Sequence, residues 1–342
     1  RQMQMIAIGG TIGVGLFMGA SSTIKWTGPS VLLAYAIAGV FVFLIMRALG
    51  EMVYVYPDTG SFAKFANDYI HPSFSFVTAA SSTFNWIIVG MSEVIAVGSY
   101  FKFWWPDLPS WIPGLAVVLI LLSANLVSVK WFGEFEFWFA AVKVVTIILM
   151  IIAGLGLIIF GIGNNFNPIG VSHLWDRGGF FTGGLSGFFF ALSIVFGSYI
   201  GIELIGITAG ETKDPQKNIV KAINGVVWRI LIFYIGSIFV IVTVYPWDEV
   251  NQIGSPFVAT FAKVGITAAA TIINFVVITA AMSGCNSGIF STSRMLYTLS
   301  KQKQISQIFY RTNKNGVPHI AVIAVSIGIF FGIVLDIVLP LI

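Results

Sequence analysis

The chain has 342 residues, of which 57% are hydrophobic and 9% charged, with a mean hydropathy of +0.92 and a formal net charge of +4. Soluble domains carry roughly 25% charged residues, and no water-soluble core absorbs apolar runs of about 20 residues recurring along the whole sequence. The composition therefore excludes a soluble enzyme and leaves a polytopic membrane domain, whose net positive charge is better explained by loop lysines and arginines than by nucleic-acid binding.

Nine apolar spans are predicted, at roughly 3–23, 29–54, 74–101, 111–131, 135–162, 180–209, 225–246, 268–299 and 317–340. Turn chemistry separates them. "TGPS" starts the second span with Pro29 near its first turn, and "YPDTGS" follows it. "WWPDLPSWIPG" is a proline-rich hairpin with interfacial tryptophans, and "GNNFNP" closes span five. The spans form one domain over 1–342, read as a first repeat over about 3–162 and a partial second repeat over about 180–340. The sequence opens on "RQMQMIAIGG" and closes on "IVLDIVLPLI", ends expected of a piece of a longer protein.

With the N-terminus in the cytoplasm, the inner flanks hold most of the basic residues, among them Lys213, Lys217, Lys221, Arg294, Lys301 and Arg311. The outer flanks then hold Lys25, Lys102, Arg177 and Lys263. The positive-inside rule accordingly sets the N-terminus inside. Cys285 is the single cysteine, so no intrachain disulfide or cysteine-rich metal site forms, and His71, His173 and His319 fall in predicted loops. No metal and no cofactor is expected.

Span one carries "GGTIGVGLF" and span six carries "FGSYIGIELIG". Glycine weakens a helix interior. One reading is close helix packing, since Gly9/Gly13, Gly197/Gly201 and Gly206/Gly210 are small-xxx-small pairs. The other reading is a pair of broken helices, which at a five-span offset have opposite orientation and mark the binding site of an inverted-repeat transporter. A broken helix can meet both charges of a zwitterion without charged side chains. A half-helix starting near Gly13–Gly15 offers N–H groups to a carboxylate. A half-helix ending near Gly197–Ile200 offers carbonyls to an ammonium.

Charges at membrane depth each cost roughly 2.5–3.5 kcal/mol on insertion scales and are functional candidates. Glu93, Lys143 and Glu203 lie well inside spans, while Asp336, Arg47 and Glu51 lie nearer span ends. Lys143 is either a proton-coupling or cation-replacing site, or a lysine snorkelling to the interface; Glu136 lies two turns away on the same face. Glu203 either fixes the unwound stretch by accepting backbone N–H bonds or helps in coupling. Glu93 lines the path or pairs with another span. Ser283, Asn286 and Ser287 line a cavity or bond between helices. Asp214 before Pro215 predicts an N-cap and a short basic amphipathic helix, with Lys217 and Lys221 on one face.

The stretches "IAIGGTIGVGLFMG", "GPSVLLAYAIAGVFVFLIMRALGEM", "FGEFEFWFAAVKV", "GIELIGITAGETKDPQKNIVKAIN" and "NSGIFSTSRMLYTLS" resemble bacterial amino acid permeases of the amino acid–polyamine–organocation superfamily. Within that family, "HLWDRGGFFTGGLSGFFFA" and "INFVVITAAMSGCNSGIFSTSRML" are similar to D-serine/D-alanine/glycine transporters, and other stretches fit aromatic or proline permeases nearly as well. The resemblance implies an all-α, five-plus-five inverted-repeat fold with helices 1 and 6 broken and two further spans. It also implies import of amino acids, small neutral ones (glycine, alanine and serine, D-forms included), across the bacterial plasma membrane, usually by proton symport, with an exchanger or an aromatic- or proline-type permease of the same fold as the alternative. About nine of the family's twelve spans fall in this sequence.

By the same resemblance, the substrate carboxylate sits at Thr11, Ile12, Gly13, Val14 and Gly15, and its ammonium at Gly197, Ser198, Tyr199, Ile200 and Gly201. "GSYIG" departs from the phenylalanine-rich pattern there, which places Tyr199 at the aromatic gate position. Lys143 matches a span-five lysine that takes the space of a sodium ion in sodium-coupled relatives, which favours proton coupling. The expected partners are an amino acid, a proton and the bilayer; the oligomeric state is left open. A channel lacks its filter carbonyls or charge rings here, and an enzyme lacks an acid–base pair with catalytic spacing at membrane depth.

Overall fold

A computed structural model describes Gly13, Leu16 and residues 20–58, 60–209, 214–250, 252–253, 255–266 and 268–338. Every regular element among these residues is a helix. In chain order they are α1 (Ala20–Thr27), α2 (Val31–Val55), α3 (Ser61–Tyr69), α4 (Pro72–Phe101), α5 (Trp111–Val127), α6 (Val129–Phe160), α7 (Gly184–Gly197), α8 (Leu204–Ala209), α9 (Pro215–Arg229), α10 (Ser237–Val244), α11 (Pro256–Lys263), α12 (Ala269–Lys301) and α13 (His319–Val338). A π-helical stretch, Ile230–Gly236, joins α9 to α10.

Among the described residues, six helical runs are long and apolar enough to cross a membrane: Ala20–Val55, Pro72–Phe101, Phe132–Phe160, Gln216–Val244, Ala269–Lys301 and His319–Val338. Trp111–Val127 and Gly184–Gly197 are shorter apolar helices. Most of the expected first span, 3–23, lies outside the described residues.

The loops gather at two ends. At one, Gln216 Nε2 donates to the Tyr54 carbonyl, Ser75 Oγ to Gln302 Oε1, and Asn313 Nδ2 to the Leu126 carbonyl. This end carries the exposed Lys217, Lys221, Lys301 and Arg311. At the other, Arg177 pairs with Asp248 and Glu249, Ser30 N–H donates to the Phe180 carbonyl, and Ser110 Oγ donates to Asp336. Spans that begin at one end therefore finish at the other, as the alternation of polar loops required.

Two differences from the sequence reading change which charges are buried. The helix after Pro215 is not a short separate one: it runs on through the π stretch to Val244 as a single crossing. Asp214 takes a left-handed φ of +54° at the N-cap position, without a side-chain cap, and Pro215 fills the first turn as expected. Arg229, within that crossing, is consequently buried, its Nη2 donating to the Ala222 carbonyl at 3.3 Å. The second difference is that α5 ends at Val127 and Ser128 is extended (φ −171°, ψ 158°). The next helix starts at Val129, earlier than the sequence reading placed it, so Glu136 lies two turns inside the bundle.

The centre of the bundle is α12, buried along most of its length and packed on α4 and α6. Side-chain bulk is spared where helices cross. A Cβ on Gly90 of α4 would stand 2.7 Å from Ile329 Cδ1 of α13, and one on Gly332 of α13 would stand 2.6 Å from Met91 Cβ. Small residues at such crossings let backbones approach in a medium that offers no hydrophobic drive between helices.

Candidate functional site

The sixth span is broken where its glycines predicted. After Gly197 the bonds Ser198 N–H to Val195, Tyr199 N–H to Phe196, Ile200 N–H to Gly197 and Leu204 N–H to Gly201 span three residues, not four. Helical spacing returns in α8. Gly201 has φ +103°, a region that non-glycine residues rarely adopt. The packing reading of these glycines holds for Gly206, whose missing Cβ makes room for Ser61 and Leu49, and fails for Gly197, where a Cβ would meet nothing within 4 Å.

Three tyrosines and a glutamate hold this break. The Tyr234 hydroxyl donates to the Ser198 carbonyl at 2.9 Å, the Tyr199 hydroxyl donates to the Tyr35 carbonyl at 2.9 Å, and the Tyr35 hydroxyl lies 3.3 Å from Ser198 Oγ. Their rings pack on one another, Tyr199 on Tyr234 at 4.6 Å between centroids. Tyr199 is thus a buried strut between spans two, six and seven. Its hydroxyl also lies 3.3 Å from the place a Cβ would take on Gly39. Glu203 accepts the Gly201 N–H at 2.8 Å and the Trp86 indole N–H at 3.2 Å, the backbone-fixing arrangement expected of it. A cleft of about 480 Å³ lies beside the break, lined by Met46, Leu49, Phe62, Phe196, Ile202 and Glu203 among others. Tyr199→Phe is expected to cost about 0.5–1.5 kcal/mol, the usual worth of one such bond; the thermal midpoint of the purified protein in detergent checks it, and an unmoved midpoint would mean the strut carries no load.

Of the span-one residues, Thr11, Ile12, Val14 and Gly15 lie outside the described residues. Gly13 is described, and its carbonyl accepts the Leu16 N–H at 3.3 Å. A Cβ on Gly13 would stand 3.0 Å from Glu93 Oε1, and one on Gly284 of α12 would stand 2.9 Å from the same oxygen. Glu93 therefore sits where spans one, three and eight meet. Trp86 and Glu93 are seven residues apart on α4, two turns along one face, so one helix touches both the span-six break and Gly13.

Lys143 does not snorkel. It is fully buried, and its Nζ donates to Ser283 Oγ of α12 at 2.8 Å. Ser283 Oγ in turn donates to Glu136 Oε1 in a short bond, and Asn286 Nδ2 donates to Glu136 Oε2 at 3.3 Å. Asn125 Nδ2 of α5 completes the chain by donating to Asn286 Oδ1 at 2.8 Å. Ser283 and Asn286 thus bond between helices. Glu136 and Glu93 are among the charges that act on Lys143. The sequence reading named Lys143, Ser283 and Asn286 but left Glu136, Trp86, Tyr35, Tyr234 and Asn125 without a role. The two-turn spacing of Glu136 and Lys143 was the one available signal for any of them. Among the described residues, no group of His, Cys, Asp and Glu is arranged to hold a metal ion.

A broken helix clamped by hydroxyls, in a bundle that also buries an ammonium–carboxylate network, presents backbone polar groups for binding. Residues 2–341 match the family model described as amino acid permease. The chain belongs to the amino acid permease family.

The permease is 68% identical over 340 residues to a probable threonine/serine transporter of Bacillus subtilis (strain 168), covering 99% of this chain and 74% of that relative. It is 46% identical over 340 residues to an amino-acid permease of the same organism, with coverage of 99% and 74%. It is 45% identical over 322 residues to a D-serine/D-alanine/glycine transporter of Escherichia coli (strain K12), with coverage of 93% and 68%. The permease is therefore a multi-pass membrane protein of an amino acid transporter family and not an enzyme.

Proposed function

We propose that this permease imports small neutral amino acids by proton symport across the bacterial plasma membrane, with its N-terminus in the cytoplasm. The observation that carries the reading is the fully buried Lys143, bonded to Ser283 and set within electrostatic reach of Glu93, whose Oε1 lies 3.0 Å from the place a Cβ would take on Gly13 of span one. A charge kept at that depth has a use, and its connection to the span-one backbone gives a proton on this cluster a route to influence substrate binding. The substrate carboxylate is assigned to Thr11–Gly15 and the ammonium to the carbonyls of Gly197–Gly201. The carbonyls of Gly197, Ser198, Tyr199 and Gly201 each accept one bond within the fold, so the substrate ammonium takes a second lone pair of the turn's carbonyls.

Serine occurs in the names of two of the relatives, and threonine differs from it by one methyl group, so serine and threonine head the substrate class, with glycine and alanine behind them. The five-plus-five inverted repeat then supplies alternating access, spans one, two, six and seven rocking around a midplane site. One proton moving inward yields about 2.3 kcal/mol per 100 mV, enough for more than tenfold accumulation at about 1.4 kcal/mol per decade.

The test is uptake of labelled serine, threonine, glycine and alanine by the full-length protein in proteoliposomes, under an inward proton gradient and separately under a sodium gradient. Accumulation under the proton gradient alone is the expected result. Uptake that ignores both gradients and requires amino acid inside would make the protein an exchanger and overturn the coupling assignment.

A further inference from the structure

Glu136 is the group at membrane depth that proton symport through Lys143 leaves without a part. It is fully buried, as are Lys143, Ser283 and Asn286. A lone carboxylate there would be costly, and both of its oxygens are met by hydrogen-bond donors. Ser283 Oγ and Asn286 Nδ2 both donate to it, one to each oxygen. The same Ser283 hydroxyl accepts from the Lys143 ammonium at 2.8 Å. A hydroxyl that accepts from a cation and donates to an anion is polarised in one direction, which strengthens both bonds. The ion pair is therefore bridged by a residue from another span, 140 positions away in sequence.

We propose that Glu136 is the positioning residue of the coupling lysine: acting through the Ser283 hydroxyl, it holds Lys143 as an ammonium facing span eight and so sets the pH range over which uptake operates. This rests on proton symport through Lys143. Glu93 of α4 also acts on Lys143, and Tyr100 of α4 and Cys285 of α12 lie within electrostatic reach of Glu93. The span-four helix contributes the uncharged Asn125. A Cβ on Gly13 or Gly284 would stand within 3.0 Å of Glu93 Oε1, so Glu93 lies next to the span-one backbone that alternating access would move. Glu136, held by Asn286 and, through it, by Asn125, belongs to the fixed side of the cluster. The division of labour follows: Glu136 anchors the charge, and Glu93 is the carboxylate whose surroundings change when span one moves.

The test measures the external pH at half-maximal serine uptake for full-length wild type, Glu136→Gln and Glu136→Asp in proteoliposomes, together with serine counterflow at fixed pH, which reads translocation without a proton drive. Glu136→Gln keeps the shape and the Ser283 bond and removes the charge. Its midpoint is expected to fall by about one pH unit or more, the usual effect of an opposite charge at this range, with counterflow largely kept. Glu136→Asp keeps the charge and shortens the reach, so its maximal uptake falls while its midpoint stays near wild type. If both variants lose uptake and counterflow together with the midpoint unmoved, Glu136 only supports packing and the proposal is overturned, with symport through Lys143 left standing. If wild-type uptake itself ignores the proton gradient, symport fails and the proposal falls with it. Should Glu136→Gln not reach the membrane, Ser283→Ala carries the same test, since it cuts the link and leaves both charges. An acid shift supports the proposal and an unmoved midpoint overturns it.

Discussion

Lys143→Ala is expected to abolish proton-driven accumulation and to lower the thermal midpoint sharply, whereas Lys143→Ala combined with Glu136→Gln recovers much of the stability and none of the accumulation. The single substitution leaves Glu136 a fully buried carboxylate whose cation is gone. Breaking one side of a buried pair in this way typically costs about 3–5 kcal/mol, more than removing both charges, because the desolvated survivor is no longer compensated. The cavity left by the lysine stem is present in both variants, so the difference between them isolates the charge. Thermal unfolding in detergent and uptake in proteoliposomes check the two halves separately. A double variant no more stable than the single one would show that the two charges do not compensate each other.

The second large effect concerns the backbone of the span-six break. Gly201→Ala is expected to reduce uptake at least tenfold while the protein still reaches the membrane. Gly201 holds φ +103° and donates its N–H to Glu203 at 2.8 Å. A side chain there strains the backbone by about 1–3 kcal/mol, and alanine also favours helix over glycine by about 1 kcal/mol. Both terms push the break to close or slide, and a tenfold loss corresponds to about 1.4 kcal/mol. Gly170→Ala is the control: it sits at φ +69° with nothing within 4 Å of the added Cβ, in a loop far along the chain from the break. Backbone strain alone predicts similar stability losses for the two variants. A role for the break predicts lost transport for Gly201→Ala and retained transport for Gly170→Ala. Equal transport would remove the break from the mechanism.

The break itself is legible in the sequence, because what makes it is local. Two glycines four apart in an apolar run weaken the helix wherever that run is placed, and the helix ends at the first of them. Lys143 is legible for the same reason: a charge in the middle of an apolar stretch is conspicuous in one dimension. Glu136 is not, because its depth hinges on where a helix begins. Six residues separate the expected start of span five from the observed one, and that moves Glu136 from an interface to the interior. The tyrosine struts are hidden more thoroughly. Nothing in the sequence around Tyr35 or Tyr234 distinguishes them from other aromatics of a membrane helix, and their bonds to residues 198 and 199 depend on how three helices are rotated.

Composition and the lengths of the apolar runs thus determined by themselves that this is a multi-pass helical membrane protein, and the glycine and charge positions marked where it departs from plain helix. Only the tertiary structure decided the partners: that Lys143 meets Glu136 through a serine of span eight, that Glu93 sits against Gly13, and that Trp86 braces Glu203. The physical reason is that helix formation and membrane insertion respond to neighbours within a few residues of one another. A buried polar group must instead find its bond across the bundle, at a register and rotation fixed only when all the helices pack together.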